Sequence, residues 1–206
     1  MSTPLVVGFD LDLTLVDSRP GIAATYRALS ALAGVYIDAD AAVSRIGPPL
    51  TTELLHWFPA ERLDWAGERF RDLYPEHAIE GSPLLPGAAE AVAGVRALGG
   101  SVVVITGKYE PNARRHLTHF GLVVDALVGW AWADGKVAAI GEHRVGVYVG
   151  DHPADMIAAR TGGAVAVGVT TGSHDADELV GAGADVVLPD LTGFPVWLRA
   201  RVDPDS

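Results

Sequence analysis

Two aspartates, Asp10 and Asp12, close an apolar run in Val6-Val7-Gly8-Phe9-Asp10-Leu11-Asp12-Leu13-Thr14. In extended chain, residues i and i+2 point the same way, so both carboxylates can face one site. An aspartate with a reference pKa of ~3.9 is already ionised at pH 7 and can attack phosphorus without a base to activate it. A second carboxyl beside it can protonate the leaving oxygen and then activate water. Taken alone, the pair is more simply read as two acids at a strand end, one of them capping a turn.

A second pair changes that balance. Asp151 follows Val149-Gly150, and Asp155 lies one helical turn beyond it. An N-cap and a first-turn acid explain one of these well and both less well. Oxygen ligands gathered from two strand ends suit Mg²⁺. The electrostatics ask for a cation too, because each like-charged pair at about 4 Å costs about 4 kcal/mol at an effective dielectric of ~20. Four carboxylates facing a phosphate dianion therefore need Mg²⁺ and a lysine as compensation. Two lysines compete for that place: Lys108, just after Thr106-Gly107, and Lys136, after Ala133-Asp134-Gly135. The Thr106 hydroxyl and the backbone N–H groups around Gly107 could hold phosphate oxygens.

The elements that must position these groups alternate along the chain. Strands are expected at Leu5–Asp10, Ser101–Thr106, Val123–Val128, Val145–Gly150, Ala164–Gly168 and Asp185–Leu188. They are β-branched runs without polar alternation, as in a parallel sheet covered on both faces. Helices are expected at Pro86–Leu98, Pro111–Phe120, Lys136–His143, Pro153–Thr161 and His174–Val180, which makes a doubly wound α/β fold. From about Arg19 to Pro83 no buried strand appears. Helical spacing there gives Pro20–Ala33, Asp40–Ile46, Thr51–Trp57 and Pro59–His77, an insertion between the first two strands. His56, Trp57, Trp65 and Tyr74 read as its packing. The end, Asp203–Ser206, is expected to fray.

Composition excludes several classes. The 206 residues are 49% hydrophobic, enough for a sizeable core. A net charge of −11 argues against nucleic acid as a partner. With no cysteine there are no disulfides, thiolate metal sites or cysteine nucleophiles. Met1-Ser2-Thr3-Pro4 shows no basic n-region, and no apolar run nears the ~20 residues of a membrane helix. A cytoplasmic protein, monomer or homodimer, is the expectation.

Taken together, the motifs resemble the haloacid dehalogenase (HAD) superfamily. Phe9-Asp10-Leu11-Asp12-Leu13-Thr14 is similar to its first motif, Val103-Val104-Ile105-Thr106 to its second, Lys136 to its third, and Gly150, Asp151 and Asp155 to its fourth. The resemblance implies a Rossmann-like core over residues 1–17 and 84–206, with an all-helical C1 cap over 18–83. Asp17-Ser18, Leu85-Pro86-Gly87 and Arg45-Ile46-Gly47-Pro48-Pro49-Leu50 look like phosphoglycolate phosphatases and their relatives. It also implies that Asp10 forms an aspartyl-phosphate and that Asp12 serves as acid, then base. Asp10, the Asp12 backbone carbonyl and Asp151 would bind Mg²⁺, with Asp155 supporting. Thr106, Gly107 and Lys136 would hold the phosphoryl group, which favours Lys136 over Lys108. Dehalogenases of the superfamily lack the acid at Asp12, so its presence favours phosphoryl chemistry. Two departures stand out: His152 where relatives carry Ser or Thr, and Gly107 where many carry Asn.

A Mg²⁺-dependent phosphatase for a small phosphorylated metabolite is therefore the expected activity. A phosphomutase of the β-phosphoglucomutase kind and a non-catalytic phosphate-accepting module are the alternatives. Arg45 is the candidate for substrate specificity, since an arginine can grip a carboxylate with both N–H groups.

Overall fold

A computed structural model describes residues 4–203. Met1–Thr3, and 204–206 of the stretch expected to fray, lie outside them. Six parallel strands form one sheet: β1 Val6–Phe9, β2 Ser101–Ile105, β3 Ala126–Val128, β4 Val147–Gly150, β5 Val165–Val169 and β6 Val186–Leu188. Their order is β3-β2-β1-β4-β5-β6, so the sheet grows outward from β1 in both directions. That reversal makes a crevice at the carboxyl end of β1. Register sharpens the point, because Phe9 pairs with Val104 on one side and Val149 on the other. The chain beyond each strand therefore emerges at one edge, carrying Asp10, Thr106 and Asp151 with it.

The helices are α1 Arg19–Ala33, α2 Ala39–Val43, α3 Leu50–Leu54, α4 Leu63–His77, α5 Ala88–Ala97, α6 Glu110–His119, α7 Asp134–Glu142, α8 Pro153–Thr161, α9 Ala176–Gly181 and α10 Phe194–Val202. Strand side chains alternate between two cores. Val7, Phe9, Val102 and Val104 pack against residues of α5, α6 and α10. Val103, Ile105 and Tyr148 pack against α7, α8 and α9. The sequence predicts no element beyond β6, yet α10 buries Phe194 and Leu198 over the first core. Exposed Val196 and Val202 blur its periodicity, so helical spacing does not mark it.

Residues of α1–α4 form a third cluster of their own, centred on Tyr26, Leu29, Leu54, Phe58, Phe70 and Tyr74. The stretch expected as one helix from Pro59 opens instead with a 3₁₀ turn, Ala60–Arg62, before α4 begins. Pro75 lies inside α4. It has no N–H, so the Arg71 carbonyl one turn earlier loses its helical partner. Among the described residues no helix is long and apolar enough to cross a membrane.

Candidate active site

Beyond Asp10 the chain folds back at once. The N–H groups of Leu15 and Val16 both donate to the Leu11 carbonyl, at 2.9 and 3.0 Å, and Leu13 takes a positive φ of 58°. The turn buries Leu11, Leu13, Leu15 and Val16, and Asp12 between them is only partly covered and lines the cavity with Asp10. Asp10 N–H donates to the Val149 carbonyl and ties the nucleophile candidate to β4. The chain leaves for the helical insertion and returns beside itself, with Asp17 N–H donating to the Pro83 carbonyl at 2.8 Å.

Asp10, Asp151 and Asp155 are buried, and one oxygen of each lies within 4.8 Å of the others. Their roles differ by what each already holds. Asp155 is fully engaged: one oxygen accepts from Lys136 Nζ at 2.5 Å, the other from His152 N–H at 3.2 Å. Asp151 accepts from Thr14 Oγ1 at 2.9 Å, which gives the threonine of the first motif a function as its orienter. Asp10 Oδ1 lies 3.0 Å from Lys136 Nζ but is a buried oxygen without a well-directed hydrogen bond. Burial, reinforced by Asp155 and Asp12 and opposed by Lys136, pushes the Asp10 carboxyl up to about 7. Burial and the same crowding raise Asp151 well above the carboxylate range. Three buried carboxylates share one ammonium, an oxygen-only donor set short of positive charge, and such a set fits Mg²⁺.

Both lysines of the chain are at the site, in different places. Lys136, in the first turn of α7, bridges Asp155 and Asp10. Lys108 pairs with Asp12 at 2.7 Å and lies 4.5 Å from the Tyr74 ring centre. Burial would raise the Asp12 carboxyl, but Lys108 overcomes it and holds the group below its usual range. Thr106 is buried at the end of β2, and its Oγ1 accepts from Lys108 N–H at 3.2 Å. Gly107 lines the same cavity, about 150 Å³ in volume, as Asp10, Asp12, Thr106, Lys136 and Asp151. His152 is the N-cap of α8; its Nδ1 accepts from Ala154 N–H at 3.0 Å, and its ring stands 5.3 Å from Trp132. A serine or threonine would cap through oxygen; this imidazole caps through nitrogen.

Arg45 reaches the cavity wall, but its guanidinium is taken by Glu53, at 2.6 and 2.9 Å. Tyr74 does more than pack the insertion. Its hydroxyl meets His116 Nε2 of α6 at 2.9 Å, joining the helical layer to the core. Arg71, Tyr109 and Trp130 also line the cavity and carried no signal in sequence. They come together only because α4 lies against α6.

Comparison with known proteins bears on this geometry. A haloacid dehalogenase-like hydrolase model matches residues 7–136, and a second HAD-hydrolase-like model matches 137–194. The chain belongs to the haloacid dehalogenase-like hydrolase family. The chain is 35% identical over 121 residues to the tyrosine-protein kinase PtkA of Mycobacterium tuberculosis, matching 58% of this chain but only 42% of PtkA. It is 30% identical to the probable phosphatase IndB of Dickeya dadantii, over 90% of this chain and 89% of IndB. It is equally similar, at 30%, to a phosphoglycolate phosphatase of Yersinia pseudotuberculosis, over 88% of each. A solved structure described as a predicted phosphatase from Clostridium acetobutylicum superposes with a TM-score of 0.80 at 26% identity, over 96% of this chain and 99% of that one.

Proposed function

We propose that the protein is a Mg²⁺-dependent phosphomonoesterase that works through an aspartyl-phosphate on Asp10. The observation that carries this reading is the Asp10 Oδ1 atom, buried yet without a directed hydrogen bond, beside Lys136 in the cavity. Asp10, the Asp12 carbonyl and Asp151 would hold Mg²⁺, with Asp155 positioning Lys136. When bound, the ion supplies positive charge that lets two anions approach.

Asp10 attacks phosphorus, and the bond to the ester oxygen breaks. Asp12 gives that oxygen a proton. Asp12, now ionised, takes a proton from water, the water oxygen attacks phosphorus, and the bond to Asp10 breaks to release phosphate. Lys136 stabilises charge on the phosphoryl oxygens, and Thr106 and the Gly107 backbone orient them. Lys108 competes with the leaving oxygen for Asp12. The small cavity and the likeness to phosphoglycolate phosphatases favour a small substrate.

The test is p-nitrophenyl phosphate turnover by native protein and Asp10→Asn, with Mg²⁺ and with chelator. Loss in the variant and in chelator is expected, and undiminished turnover by Asp10→Asn sinks the reading. Faster transfer of the phosphoryl group to a sugar phosphate than to water would make the protein a mutase instead.

A further inference from the structure

Four cationic side chains line the cavity: Arg45, Arg71, Lys108 and Lys136. Three are paired with carboxylates: Arg45 with Glu53, Lys108 with Asp12, and Lys136 with Asp155 and Asp10. Arg71 is not. Among the described residues no carboxylate lies within ion-pairing distance of it, and its Nε is buried without a hydrogen-bond partner. Its guanidinium instead lies over two rings, 4.5 Å from the centre of Trp130 and 5.8 Å from that of Tyr109. A guanidinium stacked by its face keeps its N–H donors free in its own plane, where a planar anion fits them two at a time.

The surroundings hold this arrangement in place. Pro75 leaves the Arg71 carbonyl without its helical donor, and Asn112 Nδ2 of α6 approaches that oxygen at 3.4 Å. The same backbone that carries Arg71 is thus fastened to the core. Trp130 sits at a positive φ of 58°, uncommon for a bulky residue, and its N–H donates to the Lys108 carbonyl at 2.9 Å. Strained, tied-down backbone of this sort clusters where a ligand is gripped.

We infer that Arg71, not Arg45, reads the leaving group, and that the substrate is a small phosphomonoester bearing a carboxylate at its far end. The inference deepens the phosphatase reading and rests on it for the reaction. A carboxylate fits the stacked guanidinium because both are planar. Arg71 lines the same cavity as Asp10, Thr106 and Lys136, so one ligand can meet all four.

Matched compounds test it. For turnover they are 2-phosphoglycolate against 2-hydroxyethyl phosphate. For binding without turnover they are phosphonoacetate against methylphosphonate, by calorimetry on Mg²⁺-loaded protein. Native protein should favour the carboxylate member by about 10- to 100-fold, the range of a charge-assisted, two-point contact. Arg71→Ala should collapse that preference to within about threefold of unity, and Arg71→Lys should restore part of it, having the charge without the fork. Arg69→Ala on the same helix, which removes an exposed pair with Asp72, should keep the native preference and serves as the control for helix damage. A preference that survives Arg71→Ala, or one lost in Arg45→Ala while kept in Arg71→Ala, overturns the inference. If no ester is hydrolysed at all, the phosphatase reading fails by itself, and the calorimetric preference still decides the role of Arg71.

Discussion

Lys108 Nζ lies 2.7 Å from Asp12 Oδ1. The contact favours the ionised form of the carboxyl that the proposed reaction uses as its proton donor. Lys108→Met keeps the bulk and removes the charge, so the Asp12 carboxyl should rise from its depressed position. The acid form of Asp12 then persists to higher pH. The descending limb of the kcat/KM profile should move upward in pH in this variant, while kcat/KM near neutrality falls by about 10-fold, from lost contact with Asp12 and Tyr74. A limb that stays where it is would show that Asp12 is not the proton donor.

Asp10 predicts how metal and pH trade against each other. In the folded, metal-free protein burial keeps this carboxyl protonated up to about pH 7, whereas the unfolded chain releases the proton near 3.8. Between those values the folded state binds more protons, so this contribution to stability is complete at low pH and is lost as pH rises through 7. In the proposed reading Mg²⁺ binds the ionised Asp10 carboxylate in the proton's place. The rise in Tm on adding Mg²⁺ should therefore grow from about pH 5 to about pH 8, and Asp10→Asn should flatten that growth. Differential scanning fluorimetry across a pH series measures it.

Much of this site was legible because its signals are local. Asp10 and Asp12 alternate at a strand end, and Gly150, Asp151 and Asp155 open a helix, so short-range geometry already aims them. The six strands were visible for the same reason, being continuous apolar runs. What escaped depends on contact between distant elements. Tyr74 and His116 are 42 residues apart and meet only because α4 lies on α6. Arg71, Tyr109 and Trp130 likewise come from three separate segments. Arg45 was found at the cavity, but Glu53 had to fold back from α3 to occupy it. Spacing shows neither event.

The site also explains two glycines that spacing alone left unexplained. A Cβ on Gly150 would overlap the Asp155 carboxyl, and one on Gly172 would overlap Asp151 Oδ2. Gly172 is the better test, because the atom it would displace is the free end of a side chain. Gly172→Ala should cost little stability, under about 1 kcal/mol, since Asp151 can swing aside. If Asp151 holds Mg²⁺ as proposed, the swing raises the Mg²⁺ concentration for half-maximal activity by about 10-fold or more. A large drop in Tm with unchanged Mg²⁺ dependence would contradict this account.

His116 predicts the acid limit of the fold. It is fully buried, its Nε2 meets the Tyr74 hydroxyl, and its Nδ1 has no partner. Burial, helped by Lys108, lowers the imidazole to about 4 from an ordinary 6.5. At pH 7 the ring is neutral in both folded and unfolded chains, and nothing is lost. As pH falls through 6.5 the unfolded chain takes up a proton that the folded one refuses until about 4, so stability declines across that window and levels off below it. The decline amounts to about 3 kcal/mol for a shift of this size. His116→Gln keeps a polar group near Tyr74 but cannot titrate. Compared with native protein in chelator, it should lose less Tm between about pH 7 and about pH 4.5, and subtracting the two series cancels the opposite slope that Asp10 contributes. Parallel series would mean that His116 takes up its proton equally in the folded and unfolded chains. The bond joining α4 to α6 would then survive acid.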